Sequence, residues 1–273
     1  MKFSILKQSN LVNAETSENV PFSNRCGMWY YVLTFVELFH TGVFYMDNYT
    51  YSIDNMRVSN LFDPGHTLVW EHLMKLDWPW EAIPLIGSYV EALFADLEDA
   101  EYEVRPDNVR IHKTANVAAT AYLGSNIIIG PGTEVRHCAY IRKDVIVGGG
   151  AVIGNSTELK NVILFDGVQV PHYNYVGDSI LGYKAHFGAG VITSNVKSDS
   201  TLVSVACGEA RIETGLKKFG AIVGDRVEVG CNAVLNPATV IGANTNIYPL
   251  SMVRGFIPAN SIYKKQGEVA LKR

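Results

Sequence analysis

The sequence has few cysteines, no dense block of like charges and no export signal. Its four cysteines lie far apart and form no CxxC pair, a distribution that suggests neither a zinc knuckle nor a disulfide framework. Lys2 and Lys7 enclose only four uncharged residues, which is too short a hydrophobic region for a secretory signal. We therefore predict that the chain works in the reducing cytoplasm.

A surplus of positive charge and an uninterrupted membrane span are also lacking. The formal net charge is −4 and the pI is about 6.0, so the chain offers no basic field to a nucleic-acid backbone. Residues 28 to 46 form the most apolar segment, but Glu37 and His40 would lie near mid-bilayer at a cost of a few kcal/mol each. We predict a buried or oligomer-facing helix there, and neither nucleic acid nor membrane as a partner.

What the sequence does contain changes character along the chain. Residues 1 to 57 form an N-terminal extension of uncertain structure, and residues 58 to 104 have the pattern of a small helical cap. Within the cap, Asp63 and Pro64 supply an N-cap and a first-turn proline ahead of a helical run, which predicts a helix start there. Residues 105 to 273 follow a different period and are predicted to form a separate domain.

From residue 111 onward an aliphatic residue recurs every six positions. Helices repeat at about 3.6 residues and simple strands at about 2, whereas a period of six is typical of a hexapeptide β-helix, in which each hexad forms one side of a triangular coil. The repeat loses one residue of phase before Leu164, and its interruption at about residues 196 to 219 predicts an extruded loop. The first aliphatic positions are Ile111, Val117, Leu123, Ile129, Val135, Ile141, Val147, Ile153 and Leu159.

These patterns predict a mainly β fold, a parallel β-helix of hexapeptide repeats preceded by a small α-helical region. Stacked coils of such a helix lie about 4.8 Å apart, as strands do in any sheet. The flat outer faces of the prism favour packing against copies of the same chain, so we expect a closed cyclic homo-oligomer. The glycine clusters at 130 to 132, 148 to 150 and 188 to 190 open no helix and are interpreted as coil corners.

Two cations break the rule that a glycine or small residue follows the inward aliphatic. Arg142 and Lys160 are 18 residues apart, one full turn, and should stand one above the other on the same edge. Two cations that close repel by about 3 to 4 kcal/mol at an effective dielectric of about 20 unless an anion lies between them, which predicts a phosphate or carboxylate pocket. The alternative is that both side chains splay into solvent and pair with Glu134, Asp144 or Glu158.

A histidine and a tyrosine follow these cations by one further turn. His172 and Tyr175 lie about one turn beyond the stretch 155 to 158, which would bring both close to Lys160. A histidine beside cations favours the neutral imidazole, the form that accepts a proton, so His172 is a candidate general base. Asn195 would follow about one turn later and complete a convergent group of polar side chains.

At these residues the sequence resembles a known family. It is similar to the left-handed β-helix acetyltransferase domain of the bifunctional N-acetylglucosamine-1-phosphate uridyltransferase/glucosamine-1-phosphate acetyltransferase, and to the tails of related sugar-1-phosphate nucleotidyltransferases. The likeness runs from about residue 108 to 265. It is most specific in IRKD at 141 to 144, GNSTELK at 154 to 160, VPHYNYVGD at 170 to 178 and GAGVITSN at 188 to 195.

The resemblance implies an acetyl-CoA-dependent N-acetyltransferase that acts on an amino-sugar 1-phosphate during UDP-N-acetylglucosamine synthesis. It implies a homotrimer with sites between subunits, and acetyl transfer that requires no metal. His172 would be the catalytic base that takes a proton from the sugar amine as the amine attacks the acetyl thioester. Arg142, Lys160 and Tyr175 would bind the sugar phosphate, and Asn195 would position the amine or the sugar hydroxyls.

The resemblance also implies which residues face the coenzyme, and this chain departs from the family pattern at two positions. The later coils, near Cys231, Tyr248 and Lys264, would face acetyl-CoA. His186 occupies the position of a second sugar-binding Asn and is a substrate-binding candidate, whereas Thr201 occupies the position of a lysine. We expect the uridyltransferase half to be absent from this chain, because only about 105 residues precede the coil and no GxGTR-like loop occurs.

Two other functions stay open from the sequence. The departures at His186 and Thr201 motivate a non-catalytic module that binds a sugar phosphate or assembles with a separate sugar nucleotidyltransferase. A hexapeptide zinc hydratase would draw its ligands from His112, His137, His172 or His186, but these histidines do not share the one-coil spacing that three ligands from neighbouring coils need.

Overall fold

The computed structural model describes residues 52–97 and 100–272, which belong to one compact unit, Thr50–Arg273. Most of the predicted N-terminal extension, with the apolar segment at 28 to 46, lies outside the described residues. Within the described ranges, no helix is long and apolar enough to cross a membrane.

A helical region precedes the coils. In the described residues it contains the 3-10 helices Ile53–Met56 and Pro79–Leu85 and the α-helices α1 (Val58–Leu61), α2 (Trp70–Leu73) and α3 (Ile86–Asp96). The predicted helix start at Asp63 is wrong, since α2 begins only at Trp70. Asp63 instead faces the coils: its N–H donates to Asp225 Oδ2 at 2.6 Å and its carboxylate pairs with Arg226 at 3.0 Å.

Short strands make up the rest of the described chain. The first twelve are β1 (Tyr102–Arg105), β2 (Val109–His112), β3 (Asn116–Val117), β4 (Tyr122–Ile129), β5 (Glu134–Val135), β6 (Tyr140–Val147), β7 (Val152–Asn155), β8 (Glu158–Leu164), β9 (Gln169–His172), β10 (Tyr175–Leu181), β11 (His186–Phe187) and β12 (Ile192–Thr193). The others are β13 (Ser204–Cys207), β14 (Ala210–Glu213), β15 (Ala221–Val223), β16 (Glu228–Val229), β17 (Val234–Leu235), β18 (Thr239–Ile241), β19 (Asn246–Ile247), β20 (Met252–Val253), β21 (Phe256–Ile257), β22 (Ser261–Lys265) and β23 (Glu268–Leu271).

Parallel pairing between successive coils confirms the predicted left-handed parallel β-helix behind a small helical region. Ile111 pairs with Ile129 and Ile129 with Val147, each 18 residues further on. Val147 then pairs with Leu164, only 17 residues on, across a register shift between β6 and β8. The lost residue of phase is therefore a shortened coil. At the two ends, β1 and β23 pair antiparallel with their neighbours β2 and β22.

One side of the prism, which we call the capped face, is buried on both surfaces. It consists of β2, the second halves of β4, β6, β8 and β10, and β15, β18 and β21. Its outward residues Ile128, Ile146, Ile163 and Ile180 are fully buried because α3 and the Pro79–Leu85 helix pack on them. Burial of each such side chain contributes about 1.5 to 3 kcal/mol, so the helical region is held mainly by this apolar contact.

The other two sides are open in the described chain. The polar face carries β3, β5, β7, β9, β11, β16, β19 and β22, with mostly polar outward residues. The tyrosine face carries the first residues of β4, β6, β8 and β10, followed by β12, β17 and β20. Its outward residues stand in one register-matched column: Tyr122, Tyr140, Glu158, Tyr175, Ile192, Val234 and Met252.

Between β12 and β15 the chain leaves the coil as an excursion. Val196 bridges to Lys218 at its base, and β13 and β14 form an antiparallel hairpin above. The hairpin folds back onto the coil at Gly255, where an added Cβ would lie 2.8 Å from the Ala206 carbonyl oxygen. A glycine at 255, with φ of 75°, therefore permits this close approach.

Candidate active site

Tyr175 and Asn195 meet on the tyrosine face. Tyr175 is in register with Glu158 and Ile192, and the Asn195 amide donates to the Tyr175 hydroxyl at 3.3 Å. The tyrosine ring lies over Gly177, where an added Cβ would be 2.6 Å from its hydroxyl oxygen. This glycine lets the side chain lie flat along the strand. The hydroxyl thereby reaches the corner between the tyrosine face and the capped face.

That corner is lined by Asn and Asp residues in the left-handed conformation, and we call it the Asn/Asp corner. Its members at successive coils have φ values of 60°, 59°, 56°, 54° and 49°, a region that Asn and Asp tolerate better than most residues. They are Asn108, Asn126, Asp144, Asn161 and Asp178. The spacing of 18 and then 17 residues follows the coil, so this column was readable from the sequence but was not recognised there.

Asp178 connects the site residues of this corner. Its side chain is only 3% exposed, and its Oδ1 accepts from Lys160 Nζ at 2.7 Å and from Asn161 Nδ2 at 2.9 Å. Its Oδ2 accepts a short hydrogen bond from the Asn195 amide. Asp178 was not among the site residues predicted from the sequence, although it ends the VPHYNYVGD motif.

Of the two cations, only Arg142 behaves as in the second of the sequence alternatives. Arg142 does not face a vacant anion pocket, because Nη1 pairs with Glu158 Oε1 at 3.0 Å, and this bond raises the pKa of Arg142. Lys160 is paired as well, but its partner Asp178 was not among the three carboxylates considered. The expected repulsion between the cations is therefore offset by two carboxylates of the same chain.

Tyr175 is held in its protonated form. Burial raises the pKa of Tyr175, and the nearby Asp178 and Glu158 carboxylates raise it further. Because the hydroxyl oxygen already accepts from Asn195, its own proton is available for donation to a ligand. The arrangement can bind an anion or carbonyl oxygen beside the exposed guanidinium of Arg142.

His172 lies at the opposite end of the tyrosine face. It ends β9 in register with Asn155, as the spacing predicted, and its side chain is exposed. Its backbone N–H donates to Asn174 Oδ1 at 3.1 Å, and Asn174 in turn donates to the Gly188 carbonyl at 2.8 Å, which fixes this corner. Among the described residues the imidazole has no hydrogen-bond or ion-pair partner, so it is open to a ligand.

Backbone hydrogen bonds join His172 to the coenzyme candidates along one edge, which we call the His172 corner. Gly190 donates to the His172 carbonyl at 3.1 Å, and one coil later Asn232 donates to Ala189 at 2.8 Å. Cys231 is exposed on that second coil, about 10 Å from His172 by two coil spacings. The predicted base and the predicted coenzyme residue thus share an edge.

Tyr248 and Lys264 continue this edge on the last coils. The Tyr248 N–H donates to the Tyr263 carbonyl at 2.9 Å, which places Tyr248 beside Lys264. Lys264 pairs with Glu268 at 3.0 Å, and this bond raises the pKa of Lys264. Both side chains are exposed, so they are free to contact a large ligand that lies along the edge.

His186 is not brought into the cluster. It lies on the polar face, in register with Gln169 and Glu228, and its Nδ1 is 2.7 Å from Glu228 Oε2. Thr201 lies in the excursion, where Lys197 Nζ donates to its Oγ1 at 2.5 Å. A lysine of the excursion therefore stands next to the position where the resemblance implies a lysine.

The histidines considered as metal ligands are dispersed. His112 bonds to its neighbour Thr114 at 2.8 Å, and the described residues contain no group of three His, Cys, Asp or Glu side chains that could hold a metal ion. Two cavities of about 660 and 530 Å³ are lined by other residues, at the His66 loop and beside Phe94. The candidate site is therefore an open surface spanning the tyrosine face and its two corners.

Comparison with known proteins supports the resemblance drawn from the motifs. No family model matches the chain. The bifunctional sugar-1-phosphate nucleotidylyltransferase/acetyltransferase of Sulfurisphaera tokodaii is 36% identical over 112 residues, which cover 41% of this chain and 28% of that protein. The bifunctional protein GlmU of Methanococcus vannielii is 34% identical over 121 residues, covering 44% and 29%. The chain is similar to the GlmU proteins. It spans less than a third of their length.

Solved structures give weaker likenesses. The acetyltransferase domain of PglB from Neisseria gonorrhoeae, in complex with acetyl coenzyme A, is 16% identical with a TM-score of 0.30, covering 56% of this chain and 53% of that one. The GDP-perosamine N-acetyl transferase of Caulobacter crescentus, with CoA and GDP-perosamine, is 19% identical with a TM-score of 0.30, covering 56% and 51%. Likeness of this size supports no conclusion about function.

Proposed function

We propose that the chain is an acetyl-CoA-dependent N-acetyltransferase that acts on an amino-sugar 1-phosphate, as in the synthesis of UDP-N-acetylglucosamine. The observation that carries the proposal is the shared edge of His172 and Cys231, next to the face that bears Tyr175 and Asn195. The proposed base and the edge that would bind the coenzyme then lie beside one end of the acceptor site. The similarity to nucleotidylyltransferase/acetyltransferases supports the same activity.

The proposed reaction exchanges a carbon–sulfur bond for a carbon–nitrogen bond and moves one proton from nitrogen to sulfur. The amine nitrogen of the sugar attacks the thioester carbonyl carbon, and the exposed imidazole of His172 takes the amine proton. The carbon–nitrogen bond forms, the carbon–sulfur bond breaks, and the proton passes from the His172 imidazolium to the sulfur, so that coenzyme A leaves as the thiol. His172 suits this role because it has no partner within the described chain and stands on the edge that Cys231, Tyr248 and Lys264 continue.

The acceptor would lie across the tyrosine face. Its phosphate would approach Arg142, which is exposed and can exchange Glu158 for a ligand oxygen, and the phenol of Tyr175 would donate to it. Lys160 is paired with Asp178, so it would attract the phosphate by its positive electrostatic potential more than by direct contact. His186, on the polar face beside Glu228, would contact this acceptor only from a neighbouring copy of the chain.

A homotrimer would complete the site. The tyrosine face exposes the apolar side chains of Tyr122, Tyr140, Ile192 and Met252 in a column interrupted by Glu158, and a second copy would cover them. A covered column would also exclude water from the thioester.

The decisive experiment measures free thiol release from acetyl-CoA with a panel of amino-sugar 1-phosphates. We expect release that depends on the acceptor and falls by at least about 100-fold in His172→Ala, since a positioned base contributes about 10² to 10⁴. His137→Ala, an exposed histidine on an earlier coil, serves as the control and should keep full activity. No release with any acceptor would sink the proposal.

A second function is favoured by one observation. Both cations of the predicted phosphate site are paired within the chain, Arg142 with Glu158 and Lys160 with Asp178, which suits weak binding without turnover. The chain would then be a sugar-phosphate-binding or assembly module of a separate sugar nucleotidyltransferase. Calorimetric binding of the phosphosugar in the absence of thiol release would distinguish this module from the enzyme.

A further inference from the structure

The Asp178 carboxylate is the most deeply buried charged group beside the candidate site. Three donors converge on it: Lys160 Nζ at 2.7 Å, Asn161 Nδ2 at 2.9 Å and the Asn195 amide. A buried carboxylate with three donors is well compensated. Removal of its charge would leave the donors, among them the Lys160 cation, without their partner. Asp178 lies at the corner in the left-handed conformation, with φ of 49°, so the backbone also determines the direction of its side chain.

Asp178 determines which way the Asn195 amide faces. A carboxylate only accepts hydrogen bonds, so the atom of Asn195 that contacts it must be the NH₂ group. The second N–H of the same group donates to the Tyr175 hydroxyl at 3.3 Å. Both donors are therefore used within the chain, and Asn195 Oδ1 is left as an acceptor. Tyr175, whose oxygen is occupied, is left as a donor.

We propose that Asp178 is a positioning residue of the acceptor site, which presents Asn195 as a hydrogen-bond acceptor and Tyr175 as a donor. This inference rests on the proposed function and specifies the acceptor: a hydroxyl or amine hydrogen of the sugar binds Asn195 Oδ1, and an oxygen of the phosphate binds the Tyr175 hydroxyl. Asp178 touches neither. It acts through the side chain that it holds, which explains why a charge is buried on β10, the strand that also carries Tyr175.

The chain supplies a matched control at the same corner. Asp144 has the same left-handed conformation, with φ of 56°, and also accepts from an Asn of the column, Asn126 Nδ2, at 2.7 Å. It makes no contact with Lys160 or Asn195. Asp178→Asn should lower kcat/KM for the amino-sugar phosphate by about 100-fold, the scale expected for a misplaced binding group, while KM for acetyl-CoA stays unchanged. Asp144→Asn should change kcat/KM by less than about 3-fold.

A double-mutant cycle tests whether the effect passes through Asn195. If Asp178 acts by orienting this amide, Asp178→Asn should cost less than about 3-fold in an Asn195→Ala background. Losses that multiply would overturn the inference, because Asp178 would then act on folding or on Lys160 alone. An unaffected Asp178→Asn variant would overturn it as well.

Hydrogen exchange of the Asn195 side-chain amide gives a readout that needs no activity. The two amide protons, identified by their loss in Asn195→Ala, should exchange at least about 10-fold more slowly in the wild-type protein than those of an exposed Asn such as Asn260. Exchange as fast as that of Asn260 would refute the positioning of Asn195. If the wild-type protein shows slow exchange but transfers no acetyl group, the proposed function fails while the orientation of Asn195 stands.

Discussion

Asn126 and Asn161 each donate a side-chain N–H to a backbone carbonyl of the helical region, the first to Gly87 at 3.1 Å and the second to Ile83 at 3.1 Å. The two asparagines lie at the Asn/Asp corner on different coils, so the cap is attached at two points along the edge that carries Asp178. Packing on the capped face provides most of the affinity between cap and coil, and these bonds determine where the cap sits.

Loss of the Asn161 amide should therefore loosen the cap. Asn161→Gly removes two hydrogen bonds but retains the freedom for a φ of 54°, and it should lower the free energy of unfolding by about 1 to 3 kcal/mol. Asn161→Ala should cost about 1 kcal/mol more, because alanine is strained in the left-handed region.

Urea unfolding measures both variants. The control is Asn155→Ala, which removes an exposed hydrogen bond of 3.2 Å from the Asn155 side-chain amide to the His137 carbonyl and does not involve the cap. It should cost clearly less than either Asn161 variant. Equal losses in the free energy of unfolding at both positions would show that the hydrogen bond from Asn161 to the cap contributes no more than an ordinary exposed one.

Competition for Arg142 should control affinity for the phosphate. Glu158 pairs with Arg142 at 3.0 Å, and both side chains are partly exposed, so Glu158→Gln frees the guanidinium at little cost in stability. We expect KM for the amino-sugar phosphate to fall by about 3- to 10-fold at low ionic strength. The gain should shrink at high salt, where an exposed cation is screened within about 3 Å.

A second arginine–glutamate pair provides the control. Arg136 and Glu134 lie 3.1 Å apart at the start of the polar face, away from Tyr175. Steady-state kinetics of Glu134→Gln should be those of the wild type. A KM that rises in Glu158→Gln would mean that Glu158, not Arg142, contacts the acceptor.

The hexapeptide period was sufficient to predict the coil, its shortened turn and the facing of His172 with Asn155, because a repeat places every residue by counting. The capped face was missed. Its signal was present in runs of three consecutive apolar residues, such as 127 to 129 and 145 to 147, which indicate a strand buried on both surfaces.

The partner of Lys160 was missed, although a count of one further turn reaches it. Lys160 was predicted to stack on Arg142, 18 residues before it, with Glu134, Asp144 or Glu158 as the alternative partners. Asp178 lies on the next coil, 18 residues after Lys160, where the register sets Gly177 opposite Lys160. A buried side chain at a corner turns by its backbone conformation, which periodicity does not report. The helix start at Asp63 failed for a related reason: a contact with Asp225, 162 residues away, outweighed a local capping signal.

The Tyr175 side chain should require a residue without a Cβ at position 177. An added Cβ would lie 2.6 Å from the Tyr175 hydroxyl oxygen and 3.1 Å from Asn195 Nδ2, so Gly177→Ala must displace the hydroxyl. We expect kcat/KM to fall by about 10- to 100-fold with little loss of folding, since a shift of about 1 Å in a binding group has effects of this size.

Tyr175→Phe identifies the cause. The substitution removes the atom nearest to the added Cβ, the hydroxyl oxygen at 2.6 Å, and leaves of this side chain only the ring carbon Cζ at 2.9 Å. The loss in kcat/KM that Gly177→Ala causes should therefore be much smaller in the Tyr175→Phe background than in the wild type. If the two losses multiply, the alanine acts on the backbone of β10 and the explanation by the hydroxyl is wrong.

Asp225 should give the chain an unusual dependence of stability on pH. Burial is the largest cause of the raised pKa of Asp225, and it outweighs the two backbone N–H donors, from Asp63 at 2.6 Å and Tyr183 at 2.7 Å, which lower it. Between its ordinary value of about 3.8 and the raised value, the folded chain holds a proton that the unfolded chain has released. This group therefore stabilises the fold at the acid end of that window and less as pH rises through the folded pKa.

The sign is opposite to that of a salt-bridged carboxylate, and Asp225→Asn isolates it. Relative to this variant, the wild-type free energy of unfolding should fall as the pH is raised from about 4 toward neutrality, then level off. Urea titrations of both proteins across that range measure the difference. A wild-type stability that rises with pH relative to Asp225→Asn would mean that the two backbone donors outweigh burial, and that the carboxylate holds Asp63 and Tyr183 by its charge.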